Sequence, residues 1–127
     1  MKTVLITGAS SGIGLQLAKD YLDNGYRVLA CGRSQEKLES VLQNDNVEHL
    51  VFDTQDTARI ESSLESVSNP DLVILNAGNC EYVDDAQQID ARMFERVFNT
   101  NVMGTINCLS VILPKMKAGS HLAIVSS

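Results

Sequence analysis

Short apolar runs alternate with longer amphipathic stretches along this chain. The runs are Thr3–Ile6, Arg27–Cys31, His49–Phe52, Leu72–Leu75 and Leu122–Val125. Each is nearly continuous in apolar residues instead of alternating with polar ones, which predicts strands buried on both faces, as in a parallel sheet. The stretches between them predict helices near 12–24, 35–43, 56–67 and 90–117. Repeated strand–helix–strand order implies an α/β fold with right-handed crossovers.

The last helix carries the longest pattern. Phe94, Val97, Phe98, Val102, Thr105, Leu109, Ile112 and Met116 fall at steps of three and four, which makes one apolar stripe. Asn101 shares that spacing and is expected to be at least partly buried. Pro114 should kink or end the helix, and Asp90 is a candidate N-cap. The segment 79–89, with Asp84 and Asp85, is polar and is expected to be a loop.

Composition narrows the class. The chain has 127 residues, 44% hydrophobic, with two Pro, a balance that excludes a disordered or collagen-like chain. The length suits one domain, 1–127, able to bury a core. Ten Lys and Arg against 16 Asp and Glu give a net charge of −6. That balance argues against nucleic acid or an anionic membrane as the main partner. No apolar run approaches the ~18 residues of a membrane helix, and glycines from Gly8 to Gly12 interrupt the N-terminal apolar stretch before a signal-peptide core can form. Cys31, Cys80 and Cys108 are odd in number and lack CxxC spacing. They read as core or loop thiols of a cytoplasmic protein.

The segment Thr7-Gly8-Ala9-Ser10-Ser11-Gly12-Ile13-Gly14 follows the first strand and opens the first helix. Glycine there permits a tight turn with positive φ and lets backbone N–H groups approach a pyrophosphate at a helix N-terminus. A small third residue lets helix and strand pack closely. An ordinary glycine-rich turn has the same composition, but the position between a buried strand and a helix favours a dinucleotide loop.

TGASSGIG resembles the cofactor loop of the short-chain dehydrogenases/reductases. Asn76-Ala77-Gly78 at the end of the fourth strand is similar to that family's Asn-Ala-Gly motif, and Asn101-Val102-Met103-Gly104 lies where the family carries a functional Asn. The resemblance spans the whole chain and about the first half of a typical member. It implies a Rossmann-type doubly wound parallel sheet of five strands in the order 3-2-1-4-5, truncated after the fifth. The ends of strands one and four then flank the switch point where ligands bind.

The end of the second strand reads Cys31-Gly32-Arg33-Ser34, without the acid that selects NAD through the ribose 2′-hydroxyl. Arg33 offers a planar cation suited to a 2′-phosphate, and Ser34 can add a hydroxyl contact. By resemblance, Gly32 stands where NAD-preferring members carry Asp, so NADP is favoured over NAD. One departure is Ser11, where some NADP-preferring members carry a second basic residue. A solvated arginine at a helix start is the plainer account of Arg33. Asp53 ends the third strand and either accepts from an adenine amino group, as in similar enzymes, or serves as a turn or N-cap residue. Asn76 can bridge neighbouring strand ends through its amide, while Ala77 and Gly78 leave room for a ribose. Gly8, Ser10, Ser11, Gly12, Ile13 and Gly14 complete the expected cofactor site.

The resemblance also implies catalytic roles. Asn101 would hold a water in a proton relay, against the plainer account of an amide satisfied by nearby backbone. Ser127, second of the pair ending the fifth strand, would hydrogen-bond a substrate carbonyl. The family's Tyr with a Lys four residues on is not found. Tyr21, Tyr26 and Tyr82 are followed at that spacing by Gly25, Ala30 and Ala86. The expectation is therefore an oxidoreductase moving hydride between a nicotinamide and a small carbonyl or alcohol substrate, homo-oligomeric at full length, of which this chain is an inactive N-terminal part. The competing expectation is a nucleotide-binding or interaction module without chemistry. No metal site is expected from His49 and His121, which lie far apart at strand starts.

Overall fold

The computed structural model describes residues 1–126. Five strands form one parallel sheet: β1 (Thr3–Thr7), β2 (Arg27–Gly32), β3 (Val47–Val51), β4 (Leu72–Leu75) and β5 (His121–Ile124). Their order is β3-β2-β1-β4-β5, as the family resemblance implied. Helices α1 (Gly12–Asp23), α2 (Gln35–Val41) and α3 (Thr57–Ser63) connect the first four strands.

The sheet separates two apolar layers, and the pleat assigns residues to them. Val4 and Ile6 of β1 pack with Val28, Ala30, Ile74, Ala18 and Leu38, beneath α1 and α2. Leu5, between them, points the other way to Leu29, Val73, Ile60, Leu64 and Ile112. Both faces of the central strands are thus dry, which is why their sequence shows no alternation. Full burial of a side chain such as Leu5 or Ile6 contributes about 1.5–3 kcal/mol. β3 begins at Val47, so His49 lies inside the strand and not at its start; its Nε2 is 2.8 Å from the carbonyl oxygen of Leu42. β5 departs from the expectation of burial. It pairs with β4 on one side, and its four residues are exposed.

The long helical segment departs further from the simple stripe. It comprises α4 (Ala91–Phe98), a π turn (Asn99–Met103), α5 (Gly104–Ile112) and a closing 3₁₀ turn (Leu113–Lys115) that contains Pro114. Asp90 caps α4, accepting from the N–H of Arg92 at 2.9 Å. The wider π turn shifts the phase of the helix, so Gly104, Cys108 and Ile112 of α5 are buried while Phe94 and Phe98 of α4 stay half exposed. Asn101 sits in that turn and is exposed, contrary to the expected burial. By length and composition alone the 25 residues Ala91–Lys115 could cross a membrane. The sequence did not show this, because Asn99, Thr100, Asn101 and Asn107 interrupt the apolar run. In the fold Cys108 and Ile112 belong to the sheet core.

Candidate functional site

The site begins where β1 ends. The Thr7 hydroxyl is buried and accepts two backbone N–H groups from the end of β4, Asn76 at 2.9 Å and Ala77 at 3.0 Å. This is the bridge between strand ends that was expected of the Asn76 amide. A hydroxyl oxygen has two lone pairs for the task. The Asn76 side chain instead packs against the glycine loop, with Nδ2 2.7 Å from where a Cβ on Gly14 would stand.

Close approach dictates the glycines. Gly8 has φ +65°, and a Cβ there would lie 3.0 Å from the Ala77 Cα. A Cβ on Gly14 would stand 2.1 Å from the Gly8 carbonyl oxygen, so the helix can start against the loop only with a bare residue. Ser11 is the N-cap of α1, yet its hydroxyl caps nothing and the first turn holds no acid. In contrast, Ser34, Asp56 and Asp90 each accept an N–H of their own helix. Among the described residues, the first N–H groups of α1 therefore lack a side-chain partner, and they carry the positive end of the helix dipole. The Ala9 N–H donates to the Cys31 carbonyl at 3.1 Å and ties the loop to the end of β2.

Along β2 the chain continues into Gly32 and Arg33. A Cβ on Gly32 would sit 3.3 Å from Leu38, which leaves little space for a side chain. Arg33 is exposed and makes no ion pair among the described residues. Ser34 does not reach the cleft; its Oγ accepts the Lys37 N–H at 3.2 Å as the cap of α2. Lys37 does reach it. At the end of β3, Asp53 Oδ1 accepts the Gln55 N–H at 2.9 Å, and the N-cap of α3 is Asp56. Asp53 is thus a turn residue whose second carboxylate oxygen is left to accept from another group.

Beyond β4, Gly78 and Asn79 meet the π turn. Asn101 Oδ1 accepts the Asn79 N–H and its Nδ2 donates to the Asn79 carbonyl, both at 2.8 Å. A Cβ on Gly78 would be 2.9 Å from that Oδ1. The backbone thus satisfies the Asn101 amide, with one lone pair and one N–H to spare. The turn that carries it and the helix that follows are tied to the β3–α3 loop: Gln55 Nε2 donates to Thr100 Oγ1 of the turn at 3.3 Å, and Asn107 Nδ2 of α5 donates to the Thr54 carbonyl at 2.9 Å.

These elements enclose a cleft of about 180 Å³ at the C-terminal ends of β1, β2, β3 and β4. Sites that enclose a drug-sized ligand span roughly 300–1,000 Å³, so this cleft has room for only part of a ligand as large as a dinucleotide. Gly8, Ser10, Ser11, Arg33, Asp53, Ala77 and Gly78 are brought together on its walls. Gly12, Ile13, Gly14, Ser34 and Asn76 are not on them; the three loop residues and Asn76 shape the loop and the start of α1 behind, and Ser34 caps α2. Asn101 reaches the cleft through Asn79, and Ser127 lies outside the described residues. Thr7, Lys37, Thr54, Gln55 and Thr100 also line it and were not singled out from the sequence. Lys37 had a signal, since it stands four residues after Arg33. The contacts of Gln55 with the π turn and of Thr54 with α5 had none, being purely tertiary.

Burial pushes the Cys31 thiol at the cleft wall well up, with smaller contributions from Cys108 and Glu48. Burial also raises Cys108 to about 11. Neither is a thiolate near neutral pH, so neither serves as a nucleophile there. The donor set, free helix N–H groups flanked by bare glycines with cations at one end and a carboxylate at another, fits a phosphorylated dinucleotide.

A family model described as short chain dehydrogenase matches residues 2–127. The NADPH-dependent pterin aldehyde reductase of Arabidopsis thaliana is 34% identical over 124 residues, covering 91% of this chain and 51% of that protein. The NADP-dependent 3-hydroxy acid dehydrogenase YdfG of Shigella flexneri is 30% identical over 129 residues, 97% of this chain and 52% of that protein. Among solved structures, serine dehydrogenase from Escherichia coli superposes with a TM-score of 0.91 at 28% identity, covering 98% of this chain and 62% of that one. The closed form of serine dehydrogenase complexed with NADP+ gives 0.90 at 28% identity, covering 98% and 54%. The chain spans about half the length of the curated relatives it matches.

Proposed function

Because the chain belongs to the short chain dehydrogenase family, we propose that it supplies the coenzyme-binding half of an NADP-dependent oxidoreductase acting on a small carbonyl or alcohol substrate. The observation that carries this reading is the start of α1. Its N-cap hydroxyl is unused, its first turn holds no acid, and the neighbouring loop residues Gly8, Ser10 and Ser11 line the cleft. A pyrophosphate there takes the orphan N–H groups without displacing a cap. The relatives support the choice of coenzyme, being named for NADPH or NADP.

The chain's own residues divide the work. The α1 N–H groups bind the diphosphate, and Arg33 binds the 2′-phosphate through its planar guanidinium. Asp53 takes the adenine amino group on its free oxygen, and Ala77 and Gly78 leave space for a ribose. Asn101 fixes Asn79 against the cleft and keeps one lone pair and one N–H to hold a water. When bound, the nicotinamide supplies the hydride chemistry. A full turnover also needs a proton donor within hydrogen-bond reach of the substrate oxygen. In the same reading, the exposed apolar residues Phe94, Phe98 and Val102 along the helix are the surface through which copies associate.

Fluorescence titration with NADPH and NADH tests the proposal. Wild type should prefer NADPH, and Arg33→Ala should lose most of that preference while retaining NADH binding. Equal affinity of the wild type for both coenzymes would refute the role of Arg33.

A further inference from the structure

The cleft that Arg33 lines is also lined by a second cation, from a different element. Lys37 lies in the first turn of α2, its N–H bonded to Ser34 Oγ at 3.2 Å, and it lines the same cavity as Arg33 and Gly32. Neither cation forms an ion pair among the described residues. The nearby Glu39 is engaged by Gln35 Nε2 at 2.8 Å. The glycine loop, which lines the same cleft, offers only the neutral hydroxyls of Ser10 and Ser11. Two free cations lining one cleft, in a chain with net charge −6, are not explained by the general charge of the surface.

We propose that Lys37 is a specificity-determining residue that binds the 2′-phosphate together with Arg33, in place of a basic residue in the glycine loop. This rests on the reading of the cleft as a coenzyme site. A dianionic monophosphate exceeds what one guanidinium neutralises. Arg33 takes two of its oxygens in the plane of the fork, and Lys37 adds a point charge with rotatable donors from the α2 side. The ammonium has no other partner to leave, so its attraction is spent on the ligand that bears the extra phosphate. Gly32 supports the arrangement. A side chain there would press on Leu38, the residue after Lys37, and shift the turn that carries the cation.

Calorimetric titration of the full chain with adenosine 2′,5′-bisphosphate and with 5′-AMP tests this without turnover. Lys37→Gln should weaken the bisphosphate about five- to tenfold, as expected for one partly screened charge on a dianion. It should leave 5′-AMP within about twofold, and Lys37→Arg should restore most of the loss. Unchanged bisphosphate affinity in Lys37→Gln, with Arg33→Ala impaired, would overturn the role of Lys37 and leave the coenzyme site standing. Equal weakening of both ligands would also overturn it, since the effect would then be on the pocket as a whole. A wild type that binds the bisphosphate no better than 5′-AMP would sink the underlying reading as well.

Discussion

Replacing Ser11 by Asp separates binding from folding at the start of α1. Ser11 already has N-cap backbone geometry, φ −160° and ψ 166°, but its hydroxyl makes no capping bond. A carboxylate at that position needs no backbone change to accept the N–H of Ile13 or Gly14. It also opposes the positive end of the dipole. These two effects should stabilise the fold by about 0.5–1 kcal/mol, a rise of roughly 2–4 °C in Tm for a domain of this size. Binding should move in the opposite direction. The carboxylate consumes donors that a diphosphate needs and places a negative charge about 5 Å from two phosphates. At water-like dielectric each pair costs about 0.8 kcal/mol, so the repulsion alone is about 1.6 kcal/mol, more than tenfold in affinity. Thermal melts by circular dichroism and NADPH titration at fixed salt read the two effects. A variant that melts at or above wild type and binds NADPH at least tenfold more weakly satisfies the argument. A variant that is equally stable and binds NADPH as tightly as wild type would show that no diphosphate rests on this helix.

Two further expectations concern the frame around the cleft. Thr7→Val keeps the shape but leaves the N–H groups of Asn76 and Ala77 without their acceptor. Urea unfolding should show a loss of about 2–4 kcal/mol, mostly recovered in Thr7→Ser; a loss below about 0.5 kcal/mol would refute the bridging role. Cys31 and Cys108 are both held above their ordinary value of 9.0, Cys108 at about 11. The folded state retains protons that the unfolded state releases, so their contribution is intact below pH ~9 and declines as pH rises toward 11. The urea midpoint should fall between pH 8 and pH 10.5, and fall less in Cys108→Ala; identical pH dependence in the two proteins would contradict this.

The sequence by itself determined the sheet, the positions of its strands and the glycine loop. Strands buried on both faces must be apolar at every position, and Gly14 must be bare because the Gly8 carbonyl occupies the space of its Cβ. Such constraints act on one residue at a time and leave a local mark. Asn101 shows where local marks end. Its spacing fitted the apolar stripe, but the π turn shifted the phase, exposed it and set its amide on Asn79. Likewise Ser34 carried the residue type of a phosphate contact, and the fold spent its hydroxyl on capping α2. Which side chains converge on the cleft, Gln55 and Thr100 among them, was decided by the tertiary structure alone. Convergence depends on the packing of elements distant along the chain, and no periodicity within one element encodes it.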